Sequence, residues 1–256
     1  MIKKGVVYCV TGSKAYLASA LMSAIVLRSF EPILPITIVS NLPVLKTISL
    51  NAYLIDTQLL KIEGLADNHP FVSRYAKTRL IQFSPYHETL FLDADILPCQ
   101  GVGQLWTYLN QASLAMAFDR LPQVEMCDHI SEEEKLYTLA QIPPLSTQFN
   151  SGVMLWKNNA ETQELFHQWQ REWDIFQKQD QLALVRALHR TQMTVAQIPQ
   201  NYNVSPNDSP NLIKEGYSIY LLHCWGGMVA SGEFRRIAQS RYPEIVKKVD
   251  DLMSSI

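Results

Sequence analysis

The sequence predicts an α/β domain with a mainly parallel central sheet and helices on both faces. Three observations carry this. Short apolar runs alternate with stretches whose apolar residues recur at helical spacing, the rhythm of β-α-β units. With 256 residues, 47% hydrophobic and 18% charged, the chain has the length and composition of a folded domain. The apolar run at residues 90–92 leads directly into two acids, Asp93 and Asp95, as happens at the carboxyl edge of open α/β sheets where ligands bind.

Residues 6–10 read as the first strand, residues 11–13 as a turn, and Ser13 as the N-cap of a helix carrying Leu17, Leu21, Ala24 and Ile25. Strands follow at 36–40 and 52–55. Pro70 opens a helix through Tyr75, Ala76 and Leu80 that Pro85 closes. It feeds the strand before Asp93, so Lys77 or Arg79 is expected near the same sheet edge.

Residues 114–118 and 152–156 are further buried strands. Residues 131–134 fit a capping box on a short surface helix, with the acids solvated. Leu165, Phe166, Trp169, Trp173 and Phe176 form an aromatic stripe expected to be core packing. A second helix begins near Asp180 and Gln181. After a strand at 195–198, residues 205–211 have the composition of a loop, read as a lid. The last strand, 219–222, ends at His223. Residues 235–248 are mildly basic and amphipathic: a surface helix, with peripheral membrane contact through this tail as the second reading.

The formal net charge of -2 argues against broad nucleic-acid binding, which needs a basic face. Four scattered cysteines, with no Cys-x-x-Cys pair, suit free thiols in a reducing compartment, so a cytoplasmic location is expected. The apolar run near residue 20 resembles a signal peptide, but Lys14 interrupts it and no small-residue cleavage site follows. No stretch reaches the length of a membrane span.

Two carboxylates at the end of a buried strand repel each other unless a positive charge sits between them, and a hard divalent cation supplies it. His223 also falls at a strand end. Two carboxylate oxygens with one imidazole suit Mn²⁺ (or Mg²⁺) better than Ca²⁺, which prefers oxygen alone.

In their order along the chain these pieces resemble the metal-dependent retaining glycosyltransferases of the glycogenin and bacterial lipopolysaccharide galactosyltransferase type, which share the GT-A fold. The run Val10, Thr11, Gly12, Ser13, Lys14, Ala15, Tyr16 is similar to the family's first loop, which holds uracil. Lys77 stands where the family has a basic residue on donor phosphate or sugar. Asp93, Ala94 and Asp95 match the metal motif, and His223 stands at its third ligand. Phe149, Asn150, Ser151, Gly152 and Val153 resemble the signature beside the donor sugar. Asp180 and Gln181 match a pair near the reacting face, and residues 199–203 resemble a Pro-x-x-Tyr-Asn segment.

The resemblance implies transfer from a UDP-sugar donor to a glycan or other hydroxyl acceptor, with retention. One domain is expected over 1–256: a nucleotide-binding half (1–100), a donor-sugar and acceptor half (101–232) and a helical tail (233–256). One departure stands out: Gly226 is kept, but Val229 occupies the place of the family's diphosphate-gripping Lys. Arg235 or Arg236 is the expected substitute. The departure also favours, as an alternative, a non-catalytic nucleotide-sugar binder. A haloacid-type phosphatase shares the strand followed by Asp-x-Asp, but Ile96 and Leu97 do not continue its pattern. A nucleotidyltransferase wants a longer Gly-rich basic loop than residues 11–14. No motif encodes the sugar, the acceptor or an oligomeric state.

Overall fold

The computed structural model describes residues 2–66 and 69–254. The chain enters through β1 (Ile2–Val10), whose side chains alternate between two faces: Val6, Tyr8 and Val10 enter one core and Val7 the other. The helix α1 (Lys14–Phe30) follows. Ser13 holds the N-cap position, but its hydroxyl makes no capping bond, so the start is marked only by backbone bonding. Next come β2 (Ile36–Ser40), buried throughout, and β3 (Ile55–Leu59). The third strand starts later than expected. A 3₁₀ turn over Asn51–Tyr53 ends on Leu54, whose φ of 52° turns the chain before extension begins.

The helix expected after Pro70 is two short pieces, α2 (Val72–Lys77) and α3 (Leu80–Phe83), with the break at Thr78 and Arg79. Then follow β4 (Tyr86–Leu92), β5 (Ile96–Pro98), β6 (Leu114–Gln123), α4 (Glu132–Leu139) and β7 (Thr147–Lys157). The chain continues through α5 (Ala160–Phe176), α6 (Gln181–Thr191), β8 (Val195–Gln197), α7 (Ser209–Lys214) and β9 (Leu221–His223). It closes with α8 (Glu233–Arg241) and α9 (Pro243–Ser254).

The main sheet has seven strands in the order β3-β2-β1-β4-β7-β6-β8. All are mutually parallel except β7, which runs against both its neighbours. Its core on one face includes α1, α8 and α9; on the other it includes α5 and α6, whose Trp169 and Trp173 are buried. The stripe is core from Leu165 to Trp173, as its helical spacing predicts, and Phe176 at its end is half-buried. The last strand does not join this sheet. It pairs antiparallel with β5 in a separate ribbon, placing His223 opposite Ile96.

One expectation is corrected here. Glu134 is not solvated: it is fully buried, and its carboxylate meets Arg186 of α6 at 3.2 Å, while Ser131 still caps the helix through the Glu134 N–H. Burial pushes Glu134 above the usual carboxylate range, with Arg186 pulling back. In the tail, Val246 and Val249 of α9 are buried, and Ile245, Leu252 and Met253 pack on the same core. This apolar side of α9 packs on the protein's own core. Among the described residues no helix is long and apolar enough to cross a membrane.

Candidate active site

Four chain segments converge at one edge because of strand direction. β1 and β4 are parallel neighbours, with Tyr8 opposite Leu92, so the loop after Val10 and the acids after Leu92 leave the sheet side by side. β7 is antiparallel to β4, with Val153 opposite Leu92, so its incoming half arrives at the same edge. There the Asp93 N–H donates to the Gly152 carbonyl at 2.9 Å. The β5–β9 ribbon brings the fourth segment, and the Cys224 N–H donates to the Asp95 carbonyl at 2.9 Å.

These segments enclose a cleft of about 870 Å³, within the range of small-ligand sites. Most of the residues expected at the site line it: Val10, Thr11, Gly12, Ser13 and Tyr16; Lys77; Asp93, Ala94 and Asp95; Asn150, Ser151 and Gly152; Asp180 and Gln181; His223 and Gly226. Residues 205–211, read as a lid, do not line it.

At its floor, one ligand atom from each of Asp93, Asp95 and His223 lies within 4.8 Å of the others. The His223 Nε2 is 3.3 Å from Asp95 Oδ1 and 3.8 Å from Asp93 Oδ2. Burial raises the Asp93 carboxyl above its usual range against the pull of Lys77, and the neighbouring Asp95 adds to the rise. Burial works on Asp95 as well, but the neighbouring His223 ring holds it net below that range. This electrostatic tension between two close carboxylates is what a divalent cation relieves. The donor set of two carboxylates and an imidazole fits such an ion.

Lys77 donates to Asp93 Oδ2 at 2.7 Å and lies 3.8 Å from Asp180 Oδ2. Burial disfavours its charge, but Asp93 and Asp180 more than restore it, so the ammonium is held net above its ordinary range. Asp180 opens α6 and accepts from the Ser151 hydroxyl at 2.8 Å; Trp169 Nε1 bonds its carbonyl. Although burial opposes ionisation, Lys77, Arg74 and that hydroxyl keep Asp180 below the usual range. Gln181 is buried and donates to the Phe149 carbonyl at 2.8 Å.

In the first loop Gly12 adopts φ 73° and its N–H donates to Asn41 Oδ1 at 3.0 Å. The Thr11 hydroxyl oxygen is buried with no partner among the described residues. Cys9 also lines the cleft, and burial pushes its thiol up to about 12, so it stands neutral there. All four cysteines are free.

The expected substitutes for the missing Lys are not here. Arg235 forms a two-bonded pair with Asp250 at 2.7 and 2.6 Å, Arg236 pairs with Glu233, and neither lines the cleft. Val229 packs against the main core. Arg79 lies over the Tyr75 ring, 3.5 Å from its centroid, and approaches Asp174, away from the cleft. Arg74, one helical turn before Lys77, does line it. Its side chain bonds only neutral partners, Gln179 at 3.3 Å and Ser73 at 2.8 Å, and among the described residues no carboxylate pairs with it. Sequence reasoning missed Arg74, whose signal was its i, i+3 spacing to Lys77 on a helix. It missed Asp119, Arg120, Asp128 and His129 as well; they form the cleft wall in the second half of β6 and the loop after it, in a stretch without a recognisable motif.

The family model described as glycosyl transferase family 8 matches residues 36–228. No curated protein matches the chain significantly in sequence. Among solved structures, the galactosyltransferase LgtC in complex with donor and acceptor sugar analogues is similar at 17% identity and a TM-score of 0.60, over 96% of this chain and 99% of that one. The glycosyltransferase GlyE of Streptococcus pneumoniae is similar at 15% identity and a TM-score of 0.60, over 97% of this chain and 63% of that one. Mouse xyloside xylosyltransferase 1 is similar at 13% identity and a TM-score of 0.57, over 87% and 97%. These likenesses show the fold, GT-A, and the family match replaces the phosphatase, nucleotidyltransferase and non-catalytic readings. The chain belongs to glycosyl transferase family 8 and is a glycosyltransferase.

Proposed function

We propose that this glycosyltransferase moves a sugar from a UDP-sugar to a hydroxyl of a glycan or other acceptor, with Mn²⁺ or Mg²⁺ and with retention at the anomeric carbon. The observation that carries the reading is the Asp93, Asp95 and His223 cluster, its ligand atoms within 4.8 Å, on the floor of the cleft entered by the first loop. When bound, the ion stabilises as a Lewis acid the charge that develops on the leaving nucleoside diphosphate.

Around it the residues divide the work. The loop from Val10 to Tyr16 takes the base and ribose, with the Thr11 hydroxyl offering an unused hydrogen-bonding group. Arg74, a lining cation with no carboxylate in salt-bridge contact among the described residues, supplies the diphosphate contact that Val229 cannot make. Lys77 is already neutralised by Asp93 and Asp180, so it orients these acids and meets the donor only as part of that network. Asn150, Ser151, Gly152 and Gly226 border the donor sugar, and the wall at Asp119, Arg120, Asp128 and His129 faces the acceptor.

Asp180 stays ionised at neutral pH, because Lys77 and Arg74 outweigh its burial. A general base works best with a pKa near the operating pH, so Asp180 acts by charge and position. A double-displacement course needs a carboxylate free to attack. Asp180 is tied to Ser151 and Lys77, and the Gln181 amide is a poor nucleophile. The acceptor therefore enters on the face from which the diphosphate leaves.

The direct test is release of UDP from a panel of UDP-sugars with Mn²⁺, with and without glycan acceptors. Turnover of at least one sugar, abolished in Asp95→Ala, is expected. Turnover only with GDP- or CMP-sugars contradicts the choice of nucleotide.

A further inference from the structure

The imidazole of His223 is held on several sides. Its Nδ1 lies 2.8 Å from Asn203 Oδ1, Trp225 stands edge-on at 4.9 Å between ring centroids, and Gly152 leaves it room. Asn203 is fully buried just after β8. It connects the ring to a chain of amides whose hydrogen-bond directions can be deduced from the ends.

Asn150 meets two groups of fixed character. The Gly152 N–H can only donate, and it reaches Asn150 Oδ1 at 3.0 Å; the Asp119 carboxylate accepts from Asn150 Nδ2 at 3.1 Å. Turning the Asn150 amide over would set donor against donor and acceptor against acceptor, so its orientation is settled. Asn150 Oδ1 then faces Asn203 at 3.0 Å, and Asn203 must present its Nδ2 there. That leaves Asn203 Oδ1 for His223, an acceptor that only an Nδ1–H can satisfy. The other ring nitrogen, Nε2, is the one directed at Asp93 and Asp95.

We propose that Asn203 is a positioning residue that fixes His223 as its Nδ1–H tautomer, so that the Nε2 lone pair is offered between the two carboxylates. The relay Asp119–Asn150–Asn203–His223 sets which nitrogen can bind a cation and holds the ring in the plane that lets it do so. The inference rests on the proposed metal reading of the cluster. It also links the acceptor wall, through Asp119, to the metal ligand by hydrogen bonds of one polarity.

The test uses ¹⁵N-histidine-labelled protein and a diamagnetic probe ion, Cd²⁺, followed by two-bond ¹H–¹⁵N correlations. The wild-type protein is expected to show His223 with its proton on Nδ1 and the ion on Nε2. A proton on Nε2 overturns the inference, whatever any variant does. Mn²⁺ affinity is then measured for Asn203→Ala, whose fold is checked by circular dichroism. A loss of about ten- to a hundredfold is expected, the usual cost of removing a group that orients a metal-bound histidine. Unchanged affinity in a folded Asn203→Ala protein overturns the positioning role and leaves the metal reading intact. Wild-type protein that binds neither ion overturns the metal reading itself, so the two failures are distinct.

Discussion

A Cβ placed on Gly152 would stand 2.1 Å from Cε1 of His223, and all three nearest atoms belong to that ring. The glycine sits beside Asp93, the first acid of the Asp93, Asp95 and His223 cluster, its carbonyl bonded to the Asp93 N–H. Its lack of a side chain is what lets the imidazole come this close to β7 and reach both carboxylates. Gly152→Ala is therefore expected to displace the ring and weaken Mn²⁺ binding at least about tenfold, as loss of ligand orientation does. Calorimetric titration of a folded variant checks this, and wild-type affinity would contradict the packing described.

Removing a ligand outright should be more severe. Asp95→Ala and His223→Ala each take away a preorganised electrostatic partner of the leaving group, a loss of about 3 kcal/mol or a hundredfold or more in rate. Both variants are expected to stay folded by circular dichroism while transfer nearly disappears. Full turnover by metal-free Asp95→Ala would sink the assignment.

Arg74 and the two arginines of α8 separate two accounts of the diphosphate contact. Arg74→Met is expected to weaken UDP binding about tenfold, the lower end for a charged hydrogen bond. Arg235→Met and Arg236→Met should leave it unchanged, since both side chains are engaged within the tail. The reverse pattern would return the role to the tail.

Much of the fold was legible because it rests on local periodicity. The runs at 6–10, 36–40 and 89–92 became strands, and the stripe from Leu165 to Trp173 became core. What escaped depended on tertiary partners. The ribbon of β5 and β9 has too few residues to announce its pairing, and the antiparallel direction of β7 is set by the path of the chain through β6 and α4. Glu134 looked like one of three solvated acids because its partner, Arg186, lies 52 residues away. Asp93, Asp95 and His223, which the structure brings together, could be singled out from composition and strand position. Asn203 could not, since its role appears only when two amides and a glycine N–H are seen in one chain of bonds.

Arg186 is buried among Glu134, Thr138 and Glu172, with Glu172 also bonded by Arg190, and it ties α4 to α6. Replacing it with Met leaves Glu134 with no cation in this network. Breaking a buried pair in this way costs about 3–5 kcal/mol, on the order of 10 °C in melting temperature for a chain of this size. A fall of under about 2 °C in scanning calorimetry would show that the network is not a stabilising link.

Asp180 gives a pH signature. Its folded pKa lies below the ordinary 3.8, so its ionised contacts contribute stability above that value and lose it as pH falls through the folded pKa. The difference in urea midpoint between wild type and Asp180→Asn is expected to be steady from neutral pH down to about 4 and to shrink in more acid solution. A difference that widens with acid would mean that Asp180 is held protonated instead.

The most direct measurement of the metal-bridged donor site is thermal stability with UDP, GDP and CMP, each in Mn²⁺ and in EDTA. A ligand that binds only the folded state, present at about a hundred times its dissociation constant, adds about 2.7 kcal/mol, enough for a clear shift. A shift with UDP that vanishes in EDTA is the predicted result. No shift with any nucleotide, or an equal shift in EDTA, would contradict a donor held through Asp93, Asp95 and His223.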